Sequence, residues 1–538
     1  MTLALGPVLR HVGETTAVVW VQTDAPAEVE ILGCSAKTFQ VDQCHYALVV
    51  VEGLAPDSVF QYEVRIDGVK AWPEPDSEFP PSVIRTRGPR TADRLKVIFG
   101  SCRYPKTGDA KLDDKLGLDA LDCFATRLTS MPVEELPDAL ILLGDQVYAD
   151  ELTPDARRQL AGRRTSKRRP PDEVVTYTEY ERLYRHTWGD PEIRWILSTL
   201  PTAMIFDDHD IRDDWNTSAP WRAEVNQKPW WRDRIHAGLG SYWVYQHLGN
   251  LSPAELAADE DYQKVMAAEG DCWPLLVELA DRADYEVDGD KGLRFSFRWD
   301  LGRSRLVMVD SRNARILDSG DRKMLGDREF RWVEEQVADN LDSVDHLLIG
   351  SSLPWLLPPA LGDLQIINEI AADRPGLRGT IAEKIRQAAD LEHWPAFLQS
   401  FLRFSGMIEA AAQSSPATIS VLSGDVHHSY AARALFRETG ETKVHQLVCS
   451  PVHNYVPAPV KPAFKFAWSP RVARLTRRWA KRAGSPDLPM TWANLSGPQF
   501  GNTIASLEAH GRFAEVFFEQ PEDNDELSTV ARVKLTDQ

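Results

Sequence analysis

The sequence predicts an α/β protein in which a large core with buried strands follows a smaller all-β module. The chain has 538 residues, more than a single hydrophobic core usually organises. Residues 1–90 contain short β-branched or alternating runs, whereas from Leu95 onward short, fully apolar runs each end in a polar cluster. The stretches between the apolar runs are long enough for the crossover helices that parallel strands need.

Residues 1–90 are predicted to form a small β-sandwich domain. The runs TTAVVWVQT, AEVEIL, HYALVVVEGL and QYEVRI are separated by Asp, Pro and Gly turns. The fragment GLAPDSVFQYEVRIDG resembles the turn and tyrosine-bearing strand of fibronectin III/Ig-like modules, where a tyrosine packs the corner between the sheets. A proline-rich, charged segment, AWPEPDSEFPPSVIRTRGPR, follows it. We therefore expect a second domain over residues 91–538.

Apolar runs in this second domain are predicted to be buried strands of the α/β core. In open α/β sheets, ligands bind at the carboxyl ends of the strands, and that is where the polar clusters fall. A functional site is therefore expected where these clusters converge. The runs and their clusters are LKVIFG with SCRYP, ALILLG with DQVYAD, TAMIFD with DHD, RLVMVD with SRN, HLLIG with SSLPW, and TISVLSG with DVHHS.

Bulky insertions with helical character separate the runs, at roughly 151–198, 217–290, 360–415 and 455–495. The last of them carries the basic segment Lys461–Arg482, which contains eight Lys or Arg residues, no acid, and several interleaved aromatic residues. This segment could be an amphipathic surface helix, a lid over the site, or an ordinary solvated helix. The sequence alone leaves these three interpretations open.

Composition excludes several classes of protein. The formal net charge of −19 argues against a general nucleic-acid binder, which needs a broad basic surface. The sequence contains no stretch of about 18 apolar residues, so no transmembrane helix is predicted. The six cysteines form no dense framework, and neither a basic leader nor a twin arginine opens the sequence. We expect a cytoplasmic location.

The motif GDQVYAD, directly after ALILL, is the first candidate for metal binding. Asp145 at a strand end can bridge two cations, because an ionised carboxylate is an acceptor with two oxygens. Tyr148 could supply a phenolate to ferric iron, which prefers oxygen donors. The competing interpretation is that Asp145 merely caps the next helix.

A second candidate is the acidic run Asp207–Asp210, which is followed by Asp213, Asp214 and Asn216. So many carboxylates repel one another unless cations neutralise them or solvent screens them. A solvated acidic loop is the alternative, and the buried-strand pattern of TAMIF and the presence of His209 weaken it.

The remaining candidates follow two other predicted strands. Asp425 and His427 are two residues apart on an extended segment, so they can converge on one metal while His428 points away and has a structural or indirect role. Cys102 in the sequence GSCR could be a thiolate ligand favouring iron or zinc, or a small buried apolar residue.

These motifs together resemble the alkaline phosphatase D (PhoD-like) branch of the calcineurin-type metallophosphoesterases. The matching elements are GSC at 100–102, GDxxYAD at 144–150, DDHD followed by DDWN at 207–216, and GDVHHS at 424–429. A single GDxxY is a weak signal, whereas four motifs in this order are specific. They span roughly residues 95–515, and the N-terminal β module is also similar to the one in this family.

The resemblance implies a four-layer core of two β-sheets flanked by helices, and a mixed-metal centre of iron plus calcium, with Mn, Zn or Mg as alternatives. His209 falls where related phosphoesterases place a histidine that stabilises the transition state or protonates the leaving group, so it is the predicted catalytic residue. By motif, iron would be held by Cys102, Asp145 and Tyr148, and calcium or another divalent cation by Asp145, Asp208, Asn216, Asp425 and His427, with Asp145 as the bridge.

The expected function is hydrolysis of phosphomonoesters and/or phosphodiesters by a metal-activated hydroxide. The expected partner is a phosphate-ester substrate, and no stable nucleic-acid complex is expected. Serine-based catalysis is disfavoured because the chain has no GxSxG motif. The alternative is a catalytically degenerate metal-binding or interaction protein that uses the N-terminal β-module.

Overall fold

The computed structural model describes residues 2–161, 169–318, 320–437, 440–456 and 461–537. The N-terminal part is built from strands alone. They are β1 (Leu3–Val12), β2 (Ala17–Thr23), β3 (Glu28–Ile31), β4 (Cys34–Lys37), β5 (Phe39–Val41), β6 (Cys44–Val51), β7 (Val59–Gln61), β8 (Val64–Ile66), β9 (Val69–Trp72) and β10 (Val83–Arg85).

The N-terminal strands form two four-stranded antiparallel sheets, in the orders β1-β2-β6-β5 and β4-β3-β8-β9, and β7 pairs with β10. Both sheets contribute to one apolar core, for example Val19 and Val49 from the first sheet and Val29 and Ile66 from the second. Alternation along β2 and β6 explains this, because every second side chain of a strand points to the same face. The predicted β-rich N-terminal region is confirmed.

The N-terminal sheets pack against the rest of the chain through a buried arginine and an aromatic cluster. Arg10 is fully buried, and its guanidinium donates to the Gln246 carbonyl at 2.6 Å and to Asn250 Oδ1 at 2.9 Å. The ring of Trp20 lies 5.1 Å from that of Tyr245. These contacts give the guanidinium NH2 groups hydrogen-bond acceptors, whereas Nε has none among the described residues. The two regions share one continuous core.

The rest of the chain combines strands and helices. Its strands are β11 (Arg94–Gly100), β12 (Ala139–Leu143), β13 (Thr202–Ile205), β14 (Glu286–Val287), β15 (Asp290–Lys291), β16 (Phe297–Leu301), β17 (Ser304–Val309), β18 (His346–Ser351), β19 (Thr418–Ser423), β20 (Ser429–Phe436), β21 (Lys443–Val448), β22 (Met490–Gln499), β23 (Ile504–His510), β24 (Phe513–Pro521) and β25 (Leu527–Lys534).

Most of the described helices lie in the predicted insertions. None of the described helices is long and apolar enough to span a membrane. They are α1 (Ala110–Leu116), α2 (Ala120–Leu128), α3 (Pro154–Ala161), α4 (Tyr177–Trp188), α5 (Pro191–Thr199), α6 (Ala219–Val225), α7 (Trp231–Tyr242), α8 (Leu248–Asn250), α9 (Pro253–Ala258), α10 (Glu260–Ala267), α11 (Trp273–Asp284), α12 (Asp327–Ala338), α13 (Pro359–Ala372), α14 (Leu377–Ala388), α15 (Leu398–Ala412), α16 (Lys461–Ala467) and α17 (Pro470–Ala483). Helices α1, α2 and α12 lie in other connections between strands.

Two mixed sheets form the centre of the α/β core. The first has the order β13-β12-β11-β23-β24-β25, with β11, β12 and β13 parallel. The second has the order β16-β17-β18-β19-β21-β20-β22, with β17, β18 and β19 parallel. The apolar runs predicted as buried strands are these two parallel triplets, so the predicted α/β class is confirmed.

The two sheets face each other, and helices pack outside them. On β17, Leu306 and Met308 belong to the core shared with the first sheet, whereas Val307 and Val309 face a second core with α12 and α15. Strands with an apolar core on both faces read as continuous apolar runs, which is the pattern of these segments. The carboxyl ends of both parallel triplets therefore lie at one edge of the stacked sheets.

Candidate metal centre

Strand ends approach each other closely, both within the first sheet and between the two sheets, so that glycine is required at two of them. A Cβ on Gly144 would lie 2.5 Å from the Cβ of Asp207, and a Cβ on Gly424 would lie 1.9 Å from the hydroxyl oxygen of Ser101. Gly144 also has a φ of 112°, a conformation that glycine adopts without strain. The close approach brings the polar residues that follow β11, β12, β13 and β19 to one place.

Most of the predicted metal-binding residues have left-handed backbone conformations. Non-glycine residues rarely adopt positive φ, because this conformation costs free energy and persists only where the surrounding structure holds it. Such residues are common at functional sites. The turn after each strand thus redirects the side chain into the space between the strand ends. The φ angles are 57° at Cys102, 52° at Asp145, 61° at Asn216, 65° at Asp425 and 49° at His427.

Two groups of metal-type donor atoms meet at this point and share one residue. Donor atoms of Asp145, Asp208 and His209 lie within 4.8 Å of one another, and so do those of Asp207, Asp208 and Asp425. Asp208 belongs to both groups. Each group could hold a cation, with carboxylates as the main donors.

Buried carboxylate oxygens in this cluster have no hydrogen-bond partner. Among the described residues, nothing donates to Oδ1 of Asp145 or to Oδ2 of Asp207. Burial raises the pKa of Asp145 and of Asp207 well above the usual value, because the carboxylates are removed from water. An orphaned buried carboxylate oxygen costs free energy that a bound cation would recover. The donor set therefore fits bound metal ions.

Tyr148 and Cys102 lie on the Asp145 side of the cluster. The Tyr148 hydroxyl is 3.4 Å from Oδ2 of Asp145 and accepts a hydrogen bond from Nδ2 of Asn454 at 2.9 Å. The Cys102 sulfur has the hydroxyl oxygens of Ser101 and Ser450 at 3.2 and 3.3 Å. Burial raises the pKa of both the phenol and the thiol well above their usual values, so ionising either group requires a nearby cation.

His209 is oriented by Asp150, the last residue of the GDQVYAD motif. His209 Nδ1 lies 2.9 Å from Asp150 Oδ1. Burial acts against ionisation of Asp150, but the charge and hydrogen bond of His209 lower the Asp150 pKa to about 2, so Nδ1 donates to a carboxylate. On the other side of the ring, Nε2 is 3.9 Å from Asp213 Oδ1, beyond hydrogen-bond distance. Among the described residues Nε2 has no hydrogen-bond partner, so it is available to a substrate or a cation.

Asp425 is held by His393, from the helical insertion before β19. His393 Nε2 is 2.9 Å from Asp425 Oδ2, and the side chain of Gln365 contacts Nδ1 at 2.9 Å, so the proton is on Nε2. Burial opposes ionisation of Asp425, but the hydrogen bond from His393 and the charge of Arg312 lower its pKa below the usual value. Asp425 is therefore a fixed anion.

The two histidines after Asp425 have different surroundings. Burial lowers the pKa of His427 to about 4. The charge of Asp425 acts against this shift, and that of His209 adds to it. A neutral imidazole is the form that binds metals. His428 instead stacks on Tyr430 and packs against Phe464, with centroid distances of 5.3 and 4.2 Å, as expected for a structural residue pointing away.

A buried arginine after β17 links most of the carboxylates. The guanidinium of Arg312 pairs with Asp207 and Glu392, and lies 3.3 Å from Asp208 Oδ1 and 3.2 Å from Asp425 Oδ1. Burial opposes this charge, but the four carboxylates raise the Arg312 pKa well above its usual value. Arg312 is a permanent internal cation that neutralises part of the cluster.

The loop after Asp208 closes the cluster. Asn216 is buried, and its Nδ2 donates to the Arg312 carbonyl at 3.3 Å. The backbone N–H of Asp214 donates to Asp208 Oδ2 at 3.0 Å, and that of Asp213 donates to Asp150 Oδ2 at 2.6 Å. The acidic run is thus part of the buried cluster and not a loop surrounded by solvent.

Sequence reasoning missed several residues that the structure places here. Arg312 belongs to the SRN cluster after RLVMVD, whose position at a strand end was the available signal. Asp150 was visible in its motif without a role. Glu392, His393 and Asn454 lie in insertions or loops with no motif, and only the tertiary fold brings them to the site.

A family model described as PhoD-like phosphatase matches residues 126–479, which is more than half of the chain. The chain belongs to this family. As a PhoD-like phosphatase it is a phosphoester hydrolase that depends on metal ions, and the acidic groups described above are candidate metal sites. A second family model, a domain of unknown function (DUF7800), matches residues 1–84.

Solved structures of two phosphatases share the fold of this PhoD-like chain. A structure of PhoD has a TM-score of 0.59 at 12% identity and covers 99% of this chain and 91% of its own. Purple acid phosphatase PPD1 from yellow lupin (Lupinus luteus) seeds has a TM-score of 0.50 at 11% identity, covering 98% of this chain and 74% of its own. At these identities the similarity establishes the fold alone. No curated protein matches the sequence.

Proposed function

We propose that this PhoD-like phosphatase hydrolyses phosphomonoesters and/or phosphodiesters at the strand-end cluster. By motif Asp145 is the proposed bridge between two cations, and Asp208, which both donor groups contain, is a second candidate for that role. The supporting observation is the pair of donor groups that share Asp208 and contain the unpartnered oxygens of Asp145 and Asp207. A bound pair of cations supplies an activated water and neutralises the phosphate charge. The degenerate-scaffold alternative has less support, because Asp145, Asp208 and Asp425 lie in these two donor groups.

The distribution of donors supports different cations at the two positions. Cys102 and Tyr148 adjoin Asp145 and offer a thiolate and a phenolate, which suit iron. The other side offers oxygen donors from Asp208, Asn216 and Asp425, with His427 nearby, and oxygen donors suit calcium. Iron plus calcium is our proposal, with Mn, Zn or Mg as alternatives.

His209 is the proposed general acid. Asp150 fixes the ring through Nδ1 and stabilises the imidazolium, which leaves the proton on Nε2 for the leaving-group oxygen. Arg312 and His393 are positioning residues, because they hold Asp208 and Asp425 in place. The donor groups also permit His209 to bind a cation directly, and metal analysis of His209→Gln distinguishes the two roles.

The proposal is tested by metal analysis and turnover in two variants. Asp145→Ala and Asp425→Ala are expected to lose both bound metal and phosphodiester hydrolysis. Asp122→Ala is a matched control, because Asp122 belongs to a separate acidic group with Asp190 and Glu192. Full activity in either of the first two variants would refute the assignment.

Two finer predictions from the sequence remain proposals. One is that residues 1–90 form a fibronectin III/Ig-like domain and residues 91–538 the metallophosphatase domain, for which the two four-stranded sheets sharing one core give support. The other is a cytoplasmic location.

A further inference from the structure

Three neighbouring surface helices, α13, α14 and α17, expose apolar and basic side chains side by side. Helix α13 lies between the other two. Asn368 of α13 donates to the Ala382 carbonyl of α14 at 2.9 Å, and Asp363 of α13 pairs with Arg477 of α17 at 2.8 Å. These contacts place the three helices in one layer, whose outward surface we call the α13–α14–α17 face.

The apolar part of this face contains aliphatic side chains that a soluble surface helix normally buries. On α14, Leu377, Ile381 and Ile385 recur every four residues, which places them in one exposed row, and Leu377 is 76% exposed. Leu364 on α13 is exposed as well. Rows of exposed large aliphatic residues mark interaction surfaces, whereas single ones need no explanation.

On α17, apolar and basic residues share the exposed side. Leu475 and Trp479 are nearly half exposed and lie one turn apart. Four arginines surround them, and none has an ion-pair partner in the described part of the chain, whereas Arg477 and Lys481 of the same helix do. These exposed arginines are Arg471, Arg474, Arg478 and Arg482.

The charge of this face is opposite to that of the protein. The chain carries a net charge of −19, yet α17 contains no acid at all, and the exposed Arg378 and Lys384 add further positive charge on α14. An unneutralised basic patch on an acidic protein points to an anionic partner. The apolar rows require that this partner also accept aliphatic and indole side chains.

We propose that the α13–α14–α17 face docks the protein onto an anionic lipid bilayer. Interfacial helices bind membranes in this way: apolar side chains insert at the headgroup boundary while Lys and Arg pair with anionic headgroups. Trp479 suits the interface because its indole has an apolar body and a polar N–H. Nucleic acid would use the arginines but leave the aliphatic row of α14 in water.

The face continues toward the catalytic cluster through α16. Phe466 on α16 is 68% exposed, while Phe464 on the same helix packs against His428, next to His427. A bilayer on this face would therefore lie close to the candidate metal centre. The docking itself needs no turnover, so it is tested independently of the proposed function.

The test is cosedimentation of the full-length, metal-loaded protein with vesicles of phosphatidylcholine, with and without phosphatidylserine. The wild type is expected to bind only the vesicles that contain phosphatidylserine, and less as salt increases. Combined Arg471→Gln, Arg474→Gln, Arg478→Gln and Arg482→Gln should weaken binding by about fivefold per arginine. The combined Leu377→Ser, Ile381→Ser and Ile385→Ser variant should bind more weakly while keeping the salt dependence.

The matched control removes four exposed cations elsewhere, with Lys37→Gln, Lys111→Gln, Arg331→Gln and Lys534→Gln, and should bind like the wild type. Circular dichroism and hydrolysis of a soluble phosphodiester verify that every variant is folded. The proposal is overturned if the wild type does not bind anionic vesicles or binds both vesicle types equally. It is also overturned if the arginine variant binds anionic vesicles as strongly as the control variant does. Self-association that the arginine variant abolishes, without vesicle binding, would assign the face to a second copy of the chain.

Discussion

Replacing Asp150 with Asn probes the proposed general acid without touching a predicted metal ligand. Asp150 Oδ1 is 2.9 Å from His209 Nδ1, and Asn keeps the size of the side chain while removing its charge. A hydrogen bond to a charged group contributes about 1.5–3 kcal/mol and a neutral one about 0.5–1.5 kcal/mol, so roughly 1–2 kcal/mol is lost. That difference lowers kcat about fivefold to thirtyfold, since about 1.4 kcal/mol corresponds to a factor of ten.

The assay compares kcat for two phosphodiesters that differ in their leaving group. An alkyl alkoxide needs protonation in the transition state and nitrophenolate does not, so Asp150→Asn should slow alkyl ester hydrolysis much more than nitrophenyl ester hydrolysis. Asp213→Asn is the matched control, because its carboxylate is 3.9 Å from Nε2 and mostly exposed. Equal losses for both esters, or none, would refute the role of His209 as acid. Loss of metal in His209→Gln would instead make it a ligand.

Three further changes have defined outcomes. Arg312→Met leaves four buried carboxylates without their shared cation. The free energy of unfolding in urea titrations should therefore fall by about 3–5 kcal/mol. An unchanged midpoint would show that Arg312 does not stabilise the cluster. Gly424→Ala places a Cβ 1.9 Å from the Ser101 hydroxyl, so stability should fall by about 1–3 kcal/mol and activity should drop with it. Gly406→Ala, inside α15 and in open space, should instead raise stability by about 0.5–1 kcal/mol, because alanine suits a helix interior better than glycine. Burial lowers the pKa of His445 to about 3, and an unfolded histidine titrates near about 6.5. As the pH falls from 7 to 5, His445 therefore takes up a proton in the unfolded state but not in the folded state. This difference should lower the free energy of unfolding by about 2 kcal/mol. His445→Asn should reduce that slope, and an unchanged slope would contradict the assignment.

The fold was predictable where one local pattern carries the information. Continuous apolar runs such as ALILL and TISVL are buried on both faces and are strands in the structure. The division of these strands between two stacked sheets was not visible in the runs themselves, because periodicity does not specify which strands pair. Only the family resemblance implied two sheets.

The site was predictable to the extent that its donors follow strands directly. Asp145 and Asp425 each follow a buried strand and a glycine. In the structure they belong to two donor groups that share Asp208. Glu392 and His393 reach the cluster from a helical insertion, so no spacing in the sequence relates them to Asp425. Arg312 shows the same limit. The sequence places it after a strand, but only the tertiary structure shows that several carboxylates surround it.

Anomalous X-ray diffraction from crystals of the native protein tests the central proposal most directly, because it locates bound metals and identifies them by their absorption edges. The proposal predicts an iron peak beside Asp145, Tyr148 and Cys102, and a second cation near Asp208 and Asp425. Peaks confined to another acidic group, such as that of Asp122, Asp190 and Glu192, or no peak within the strand-end cluster, would contradict it.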